Sequence, residues 1–448
     1  MSISACVRRS GTPSLQFSRL IAGRTLAVLW SIGACLPPSA LSADSPAAAI
    51  PRPVARATTP LLEILTEALQ NNAEIQAAGK ESEAAQHRIS PAGALDDPML
   101  EAGVINLPTN SLRFDREDMT MKMIGLSQRL PYPGKRGLRQ DVAAKDAETV
   151  GFGYQETVNR VARDVKVAYI DLGLTLETTA LVEKNRQVLE QFLRIAEGRY
   201  AVGQGTQADV LKAQTQLSKM TDELIKVARE RPTLEAELNR LLGRNANAAA
   251  PAPAPPQLRE ETLRLESLRE TALAQRPQLL ALQSIVARNE KALDLARKDY
   301  YPDFDVRMSY GQRDNMPDGT RRSDMMSLTV AINLPVWREE KRAPRVAESL
   351  AMRDQAQRNE VAAKLRQQVA LADQSLQSAR LYQTTILPQA RLTVESALPA
   401  YRVNRADFLT LLDSQMVVLN FEISLAAAIA SHNKALAEIE FLTGGSPR

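Results

Sequence analysis

The sequence predicts a mainly α-helical protein with a small β part, built from two copies of one helix–strand–strand–long helix unit. Matching residues of the two halves keep an offset of 204 in the earlier part of the unit, as from Pro98 to Pro302, and of 201 in its later part, as from Gly243 to Gly444. A constant offset over long segments indicates tandem duplication. Composition agrees with long helices, because only 4% of the 448 residues are aromatic while 44% are hydrophobic.

Composition also predicts the segment boundaries. Two Pro/Ala-rich stretches without hydrophobic periodicity are interpreted as linkers. The expected segments are a signal peptide at 1–43, a linker at 44–59, a first repeat at 60–247, a linker at 248–257 and a second repeat at 258–445.

The N-terminal segment has the pattern of a secretory signal, with arginines, an apolar run at 26–36 and small residues after it. We expect cleavage after Ser42 or Ala43. Cys35 follows Ile-Gly-Ala, as in a bacterial lipobox, so lipidation at Cys35 is the alternative. Without the four arginines of this segment the chain has 52 basic and 52 acidic residues, which gives no argument for nucleic-acid binding.

Hydrophobic spacing predicts the helices. One helix is expected from Leu61 to about Ile89. The stretch 135–199 has no proline, and its apolar residues recur at three- and four-residue steps, which predicts a helix roughly 95–100 Å long. Gly203 and Gly205 interrupt this helix, which resumes at 207–242. No segment after the signal is expected to cross a membrane as a helix.

Alternating residues predict two strands in each copy. In the second copy, apolar positions at 304–310 and 326–332 alternate with hydroxyl, amide and charged side chains. In the first copy the strands are expected near 99–107 and from Met119 onward. Strands of this length suit a tilted membrane strand, but four of them cannot close a barrel. Several chains would therefore have to share one barrel.

Methionines are concentrated in the strand regions. Thioethers are soft ligands that suit Cu(I), but methionine is also an adaptable apolar filler. We interpret these residues as fillers at alternate positions of the apolar strand face, and expect no bound metal and no cofactor. They are Met99, Met119, Met121, Met123, Met308, Met325 and Met326.

The residue inventory does not support catalysis. His87 and His432 are the only histidines, and the sequence lacks a GxGxxG or GxxxxGK[ST] phosphate loop. We therefore expect that the protein is not an enzyme.

Three motifs resemble the TolC-type outer-membrane factor family of Gram-negative bacteria. The first is Leu-Pro-Tyr-Pro-Gly-Lys-Arg at 130–136, and the second is Tyr-Ala-Val-Gly-Gln-Gly-Thr at 200–206 followed by Asp-Val-Leu at 209–211. The third is the second-copy counterpart, Tyr-Arg-Val-Asn at 401–404 followed by Leu-Leu-Asp at 411–413. The resemblance covers roughly residues 60–445, and the first motif is most similar to the branch paired with heavy-metal resistance-nodulation-division pumps.

The resemblance implies a homotrimer whose twelve strands form one transmembrane β-barrel in the lipid of the outer membrane, continued by a periplasmic α-barrel. Such a duct docks to a periplasmic adaptor (a membrane fusion protein) and an inner-membrane pump, and exports cargo without chemistry of its own. Heavy-metal cations are the expected cargo. A multidrug or type I secretion duct of the same family is the first alternative. A soluble periplasmic coiled-coil adaptor is the second.

The resemblance also implies two sites. The helical turns would be the tips that meet the adaptor, with Val202, Gly203, Gly205 and Thr206 in the first copy and Val403 and Asn404 in the second.

The second implied site is the pore aperture. Three copies of Asp413 would form a carboxylate ring at the narrowest point, while Thr410 stands where the family often has a second aspartate. The alternative for Asp413 is a solvated carboxylate on a helix face.

Overall fold

A computed structural model describes residues 59–334 and 346–445, with side chains from residue 353 onward in the second range. The expected signal peptide, Cys35 and nearly all of the first linker lie outside the described residues. The first half contains α1 (Leu61–Asn71), α2 (Ala73–His87), α3 (Ile89–Ala92), β1 (Met99–Ile105), β2 (Met121–Leu130), α4 (Lys135–Ala201) and α5 (Gln207–Leu241). The second half contains α6 (Leu265–Gln275), α7 (Pro277–Lys298), β3 (Phe304–Gln312), β4 (Met325–Ile332), α8 (Val346–Leu381), a π-helix (Tyr382–Ile386), α9 (Leu387–Arg402) and α10 (Phe408–Leu442).

The helix expected from Leu61 to Ile89 is broken at Asn72. The Asn72 backbone is extended, and its side-chain oxygen accepts hydrogen bonds from the N–H groups of Glu74 (2.9 Å) and Ile75 (3.2 Å). Its amide nitrogen donates to the Leu241 carbonyl at the end of α5 (2.8 Å). Asparagine is a favourable N-cap, and here a tertiary contact fixes it, so the break belongs to the packing rather than to the local hydrophobic pattern.

The four strands form one antiparallel sheet in the order β1-β2-β3-β4. The two halves of the chain meet where β2 pairs with β3, in a register that places Leu130 opposite Phe304. β1 and β4 are the outer strands, and each has one edge without a partner strand among the residues that the structure describes. The strand after residue 118 begins at Met121, two residues later than expected.

The long helix predicted after the sheet is confirmed. α4 has 67 residues, so it runs about 100 Å from the sheet to its far turn. It packs against α5, α7 and α10. The corresponding path in the second half is divided by the π-helix just before Pro388, whose missing N–H removes one helical hydrogen bond.

In both halves, the glycine that follows the last helix packs against the break between the first two helices. Gly243 and Gly444 have φ angles of +72° and +71°, in the left-handed region. A Cβ on Gly243 would lie 2.5 Å from the Asn71 carbonyl oxygen, and one on Gly444 would lie 2.6 Å from that of Gln275. The matched residues of the duplicated sequence therefore occupy matched structural positions.

α10 differs from the expectation that no later segment could span a membrane. Among the described residues, α10 is the one helix that is long enough and apolar enough to cross a membrane, judged by length and composition. The same test is passed by helices packed inside proteins, and α10 packs against α8, α4 and α9. Leu411, Leu419 and Leu436 are among its buried residues. Only 22% of its most apolar 18-residue window is buried, so these helix contacts cover part of its apolar surface.

Candidate functional site

The first turn joins α4 to α5 through residues 202–206. Gly203 has a φ of +71°, which glycine adopts without steric cost, and its N–H donates to the Tyr200 carbonyl (3.0 Å). Thr206 caps α5: its hydroxyl accepts from the Asp209 N–H (3.2 Å), and the Asp209 carboxylate accepts from the Thr206 N–H (3.4 Å). Val202 is 68% exposed, so an apolar side chain stands free at the end of the hairpin.

The second turn joins α9 to α10 and has the same left-handed backbone position, but its N-cap, Asp407, makes no side-chain capping hydrogen bond. Asn404 occupies the place of Gly203 with a φ of +61°, and its N–H donates to the Tyr401 carbonyl (3.1 Å). Asparagine is among the few residues that tolerate this backbone region. Val403 is 64% exposed. The six predicted tip residues thus form two turns, each with one exposed valine.

Arg199, which the sequence analysis did not single out, connects the two turns. Its guanidinium donates to the Tyr401 carbonyl, to the Gln204 carbonyl (2.9 Å) and to the side-chain oxygen of Asn404 (2.9 Å). It also lies over the Tyr401 ring, 4.4 Å from the centroid. Asn404 therefore does more than tolerate positive φ, because it accepts a hydrogen bond that glycine could not.

An apolar core lies directly behind the turns. Tyr401 and Phe408 are buried with their ring centroids 5.3 Å apart, and they pack with residues of α4 and α5, including Phe192 and Ala213. Burial, followed by the negative charge of Asp209, raises the pKa of Tyr401. Both hairpins share this core, so a displacement of one turn disturbs the packing of the other.

The two aperture residues lie on one face of α10. Asp413 and Thr410 are exposed, whereas the intervening Leu411 and Leu412 are buried in the core behind the turns. This orientation leaves the Asp413 carboxylate free to face a lumen. Lining of a pore requires neighbouring copies, so the aperture remains a prediction.

The sheet has one apolar and one polar face. Cross-strand partners share a face, and the register assigns one set of apolar side chains to the same side. Most of this set is exposed: Leu100, Ala102, Val104, Ile124, Leu126, Val306, Met308, Tyr310, Met326, Leu328, Val330 and Ile332. The opposite face includes Ser127, Ser309 and an ion pair between Arg307 and Glu101 (3.2 Å).

The register corrects the interpretation of the methionines. Met308 and Met326 lie on the apolar face, as expected for filler residues. Met99, Met121, Met123 and Met325 lie on the polar face. Both faces of β2 carry apolar residues at its outer end, so alternation alone could not assign them. A filler role on the apolar face is therefore wrong for these four.

The motif at 130–136 builds the junction between sheet and helices. Lys135 is fully buried, and its ammonium donates to the Asp303 carboxylate (2.7 Å) and the Tyr301 carbonyl (2.8 Å). The Tyr132 N–H donates to the same carboxylate (3.0 Å), and its ring stacks on Tyr301 with the centroids 4.6 Å apart.

Asp303 is the residue at which this junction converges. Burial raises the pKa of its carboxyl, but the hydrogen bonds from Lys135 and Tyr132 outweigh burial and hold the pKa below its usual value. The sequence analysis missed Asp303 because its partner lies 168 positions away. Across residues 59–334 and 346–445, no group of three or more His, Cys, Asp or Glu residues could hold a metal ion.

Comparison with known proteins agrees with this geometry. Residues 64–244 match the family model described as "Outer membrane efflux protein". "Outer membrane efflux protein BepC" of Brucella suis biovar 1 is 25% identical over 303 residues, an alignment that spans 65% of this chain and 65% of that relative.

Two solved structures share the fold. A membrane protein from Pseudomonas aeruginosa is 18% identical, with a TM-score of 0.69 over 86% of this chain and 90% of that one. The Campylobacter jejuni CmeC outer membrane channel is 15% identical, with a TM-score of 0.67 over 86% of this chain and 85% of that one. At these identities the likeness establishes the fold.

The comparisons confirm the predicted fold class, the outer-membrane location and the expectation that the protein is not an enzyme. They do not distinguish between branches of the family. The chain therefore matches the Outer membrane efflux protein family model through residues 64–244, and it shares the fold of solved outer-membrane channels.

Proposed function

We propose that this protein is the exit duct of a tripartite efflux system, a passive channel formed by three copies of the chain. The observation that supports this most directly is the sheet. One of its faces is apolar and exposed, the other is polar, and both outer strands have an edge without a partner in the described part of the chain. Unpaired strand edges are not tolerated in hydrocarbon, so such a sheet needs further strands.

Three copies satisfy this requirement. Pairing β4 of one copy with β1 of the next gives a closed barrel of twelve strands, with the apolar face toward lipid and the polar face toward a wet lumen. α4 continues about 100 Å beyond the sheet, a length suited to a tube across the periplasm.

The far turns are the proposed docking site for a periplasmic adaptor. Exposed Val202 and Val403 supply apolar contacts, and Arg199 holds the two turns in a fixed relation. An adaptor would therefore contact a single surface formed by both hairpins. The adaptor in turn would connect the duct to an inner-membrane resistance-nodulation-division pump.

Heavy-metal cations are the proposed cargo. This rests on the resemblance of the 130–136 motif to the heavy-metal branch, and a ring of Asp413 carboxylates would favour cations at the aperture. In the described chain the residues of the motif itself form the sheet–helix junction. The motif therefore bears on cargo only through the branch it resembles.

Two measurements test this function. The first is extraction of outer membranes in mild detergent, where a heat-resistant trimer is expected and a monomer would refute the shared barrel. The second is the sensitivity of a deletion strain to zinc, cobalt, cadmium, copper and silver, compared with dyes and detergents. Hypersensitivity to metals alone supports the proposed cargo. Hypersensitivity to dyes and detergents would retain the duct and assign it to the multidrug branch.

Residues 1–43 are part of the same proposal, as an export signal removed before assembly. Mass spectrometry of the mature N-terminus distinguishes cleavage after Ser42 or Ala43 from a chain that begins at acylated Cys35.

A further inference from the structure

Three methionines converge over one glycine on the polar face of the sheet. Met123 in β2 and Met325 in β4 are the register partners of Gly311 on its two sides. The Met121 thioether lies over Gly311 itself, because a Cβ at Gly311 would fall 2.5 Å from the Met121 sulfur. Adjacent strands lie about 4.8 Å apart, and methionine is long and unbranched. The three thioethers can therefore reach one point above Gly311.

The position of this cluster is the outer end of the sheet. β2 and β4 begin there, directly after the connecting segments at 106–120 and 313–324, and the helices adjoin the opposite end. The neighbouring cation on this face, Arg313, donates to the carbonyls of Ser323 (2.7 Å) and Asp118 (3.3 Å). Its guanidinium is thus held by the outer segments.

Packing on the lipid side does not explain these residues. Met121 and Met123 are half-buried on the polar face, whereas Ile124 and Leu126 occupy the apolar face of the same strand. The rest of this face carries mainly serine, threonine, small and charged side chains, with Ile105 opposite Met121. Thioethers are apolar, so they add no favourable hydration to a lumen lined in this way. Soft ligands of this kind prefer soft monovalent cations, Cu(I) and Ag(I).

We propose that Met121, Met123 and Met325 form a binding site for soft monovalent cations, Cu(I) or Ag(I), at the outer end of the duct lumen. The inference rests on the proposed function, because the polar face is a lumen only in the closed barrel. The ion is cargo: neutral thioethers bind it without a proton or a redox change and release it toward the exit. Such binding must stay weak enough for departure, as conduction through any selective pore requires.

The chain provides a matched control for the test. Replacing the three residues together by leucine (Met121→Leu, Met123→Leu, Met325→Leu) removes the sulfurs and nearly conserves volume. The control replaces two methionines of the apolar face, Met308→Leu and Met326→Leu. Purified trimers are titrated with silver nitrate in chloride-free buffer, with calorimetry for affinity and silver-edge X-ray absorption for the ligand atoms.

Wild type and control are expected to bind Ag(I) through sulfur, and the triple variant is expected to bind at least tenfold more weakly. Equal affinity in wild type and triple variant overturns the site, as does an equal loss in the control. Conductance in planar bilayers distinguishes failure of the methionine site from failure of the proposed duct. If wild type and the triple variant both form trimers that conduct potassium and bind silver equally well, the methionine site alone is refuted. A wild-type protein that forms no channel refutes the duct as well.

Discussion

Replacing Gly243 by alanine should open the corner between the end of α5 and the break after α1. Gly243 has a φ of +72°, and a Cβ there would lie 2.5 Å from the Asn71 carbonyl oxygen and 3.1 Å from its carbonyl carbon. Contacts this close involve backbone atoms, which cannot turn away as a flexible side chain can. The substitution therefore combines an unfavourable backbone conformation with overpacking.

The magnitude can be worked from two terms. The left-handed conformation costs a residue with a Cβ about 1–2 kcal/mol. Overpacking against immobile atoms adds about 1–3 kcal/mol. Gly203→Ala isolates the first term, because Gly203 has a φ of +71° but no atom within 4 Å of its added Cβ. The corner at Gly243 should thus lose about 1–3 kcal/mol more than the turn at Gly203.

Hydrogen exchange monitored by mass spectrometry measures this difference in the detergent-solubilised trimer. Local opening free energies are compared for peptides that span 61–75 and 236–246 in Gly243→Ala, and for the peptide that spans 196–210 in Gly203→Ala. A difference of 1.4 kcal/mol corresponds to about a tenfold change in exchange. Gly444→Ala, whose Cβ would lie 2.6 Å from the Gln275 carbonyl oxygen, should show the same loss at 262–280. An equal loss at Gly243 and Gly203 would refute the steric argument.

Three further outcomes follow from the described contacts. Arg199→Gln should raise hydrogen exchange at both turns, because it removes the charge shared by Gln204 and Asn404; an increase at only one turn would contradict the bridge. Asp413→Ala should raise single-channel conductance in planar bilayers, and unchanged conductance would remove this residue from the aperture. Asp303 has a lowered pKa, so its stabilisation of the junction is present above the unfolded pKa of about 3.9 and is lost as pH falls through the folded value. Asp303→Asn should abolish the loss of trimer stability that protonation of Asp303 causes at acid pH. An unchanged loss in the variant would assign the acid dependence to other groups.

Local sequence patterns were sufficient for the helices, the strands and their duplication. The recurrence of apolar residues along 135–199 predicted α4, and alternation predicted both the position and the apolar face of β3 and β4. These features depend on a period that is written into consecutive residues. The two turns were found in the same way, since glycine or asparagine at a left-handed position marks them.

Side chains whose partners lie far along the chain were not predictable. Arg199 acts on Tyr401 and Asn404, about 200 positions away, and reads in sequence as an ordinary basic residue at a helix end. Lys135 and Asp303 are similarly distant. Charged groups leave no periodic trace, so only the fold could bring them together.

The methionines show the same limit within a single strand. Both faces of β2 carry apolar side chains, Met121 and Met123 on one and Ile124 and Leu126 on the other. The sequence alone therefore determined that a strand exists but not which of its faces joins the apolar face of the sheet. The cross-strand register decided it, because a shift of one residue exchanges the two faces of a strand. What period and turn residues encode is set by the sequence; which side chains meet, and on which side of the sheet, is set by tertiary pairing.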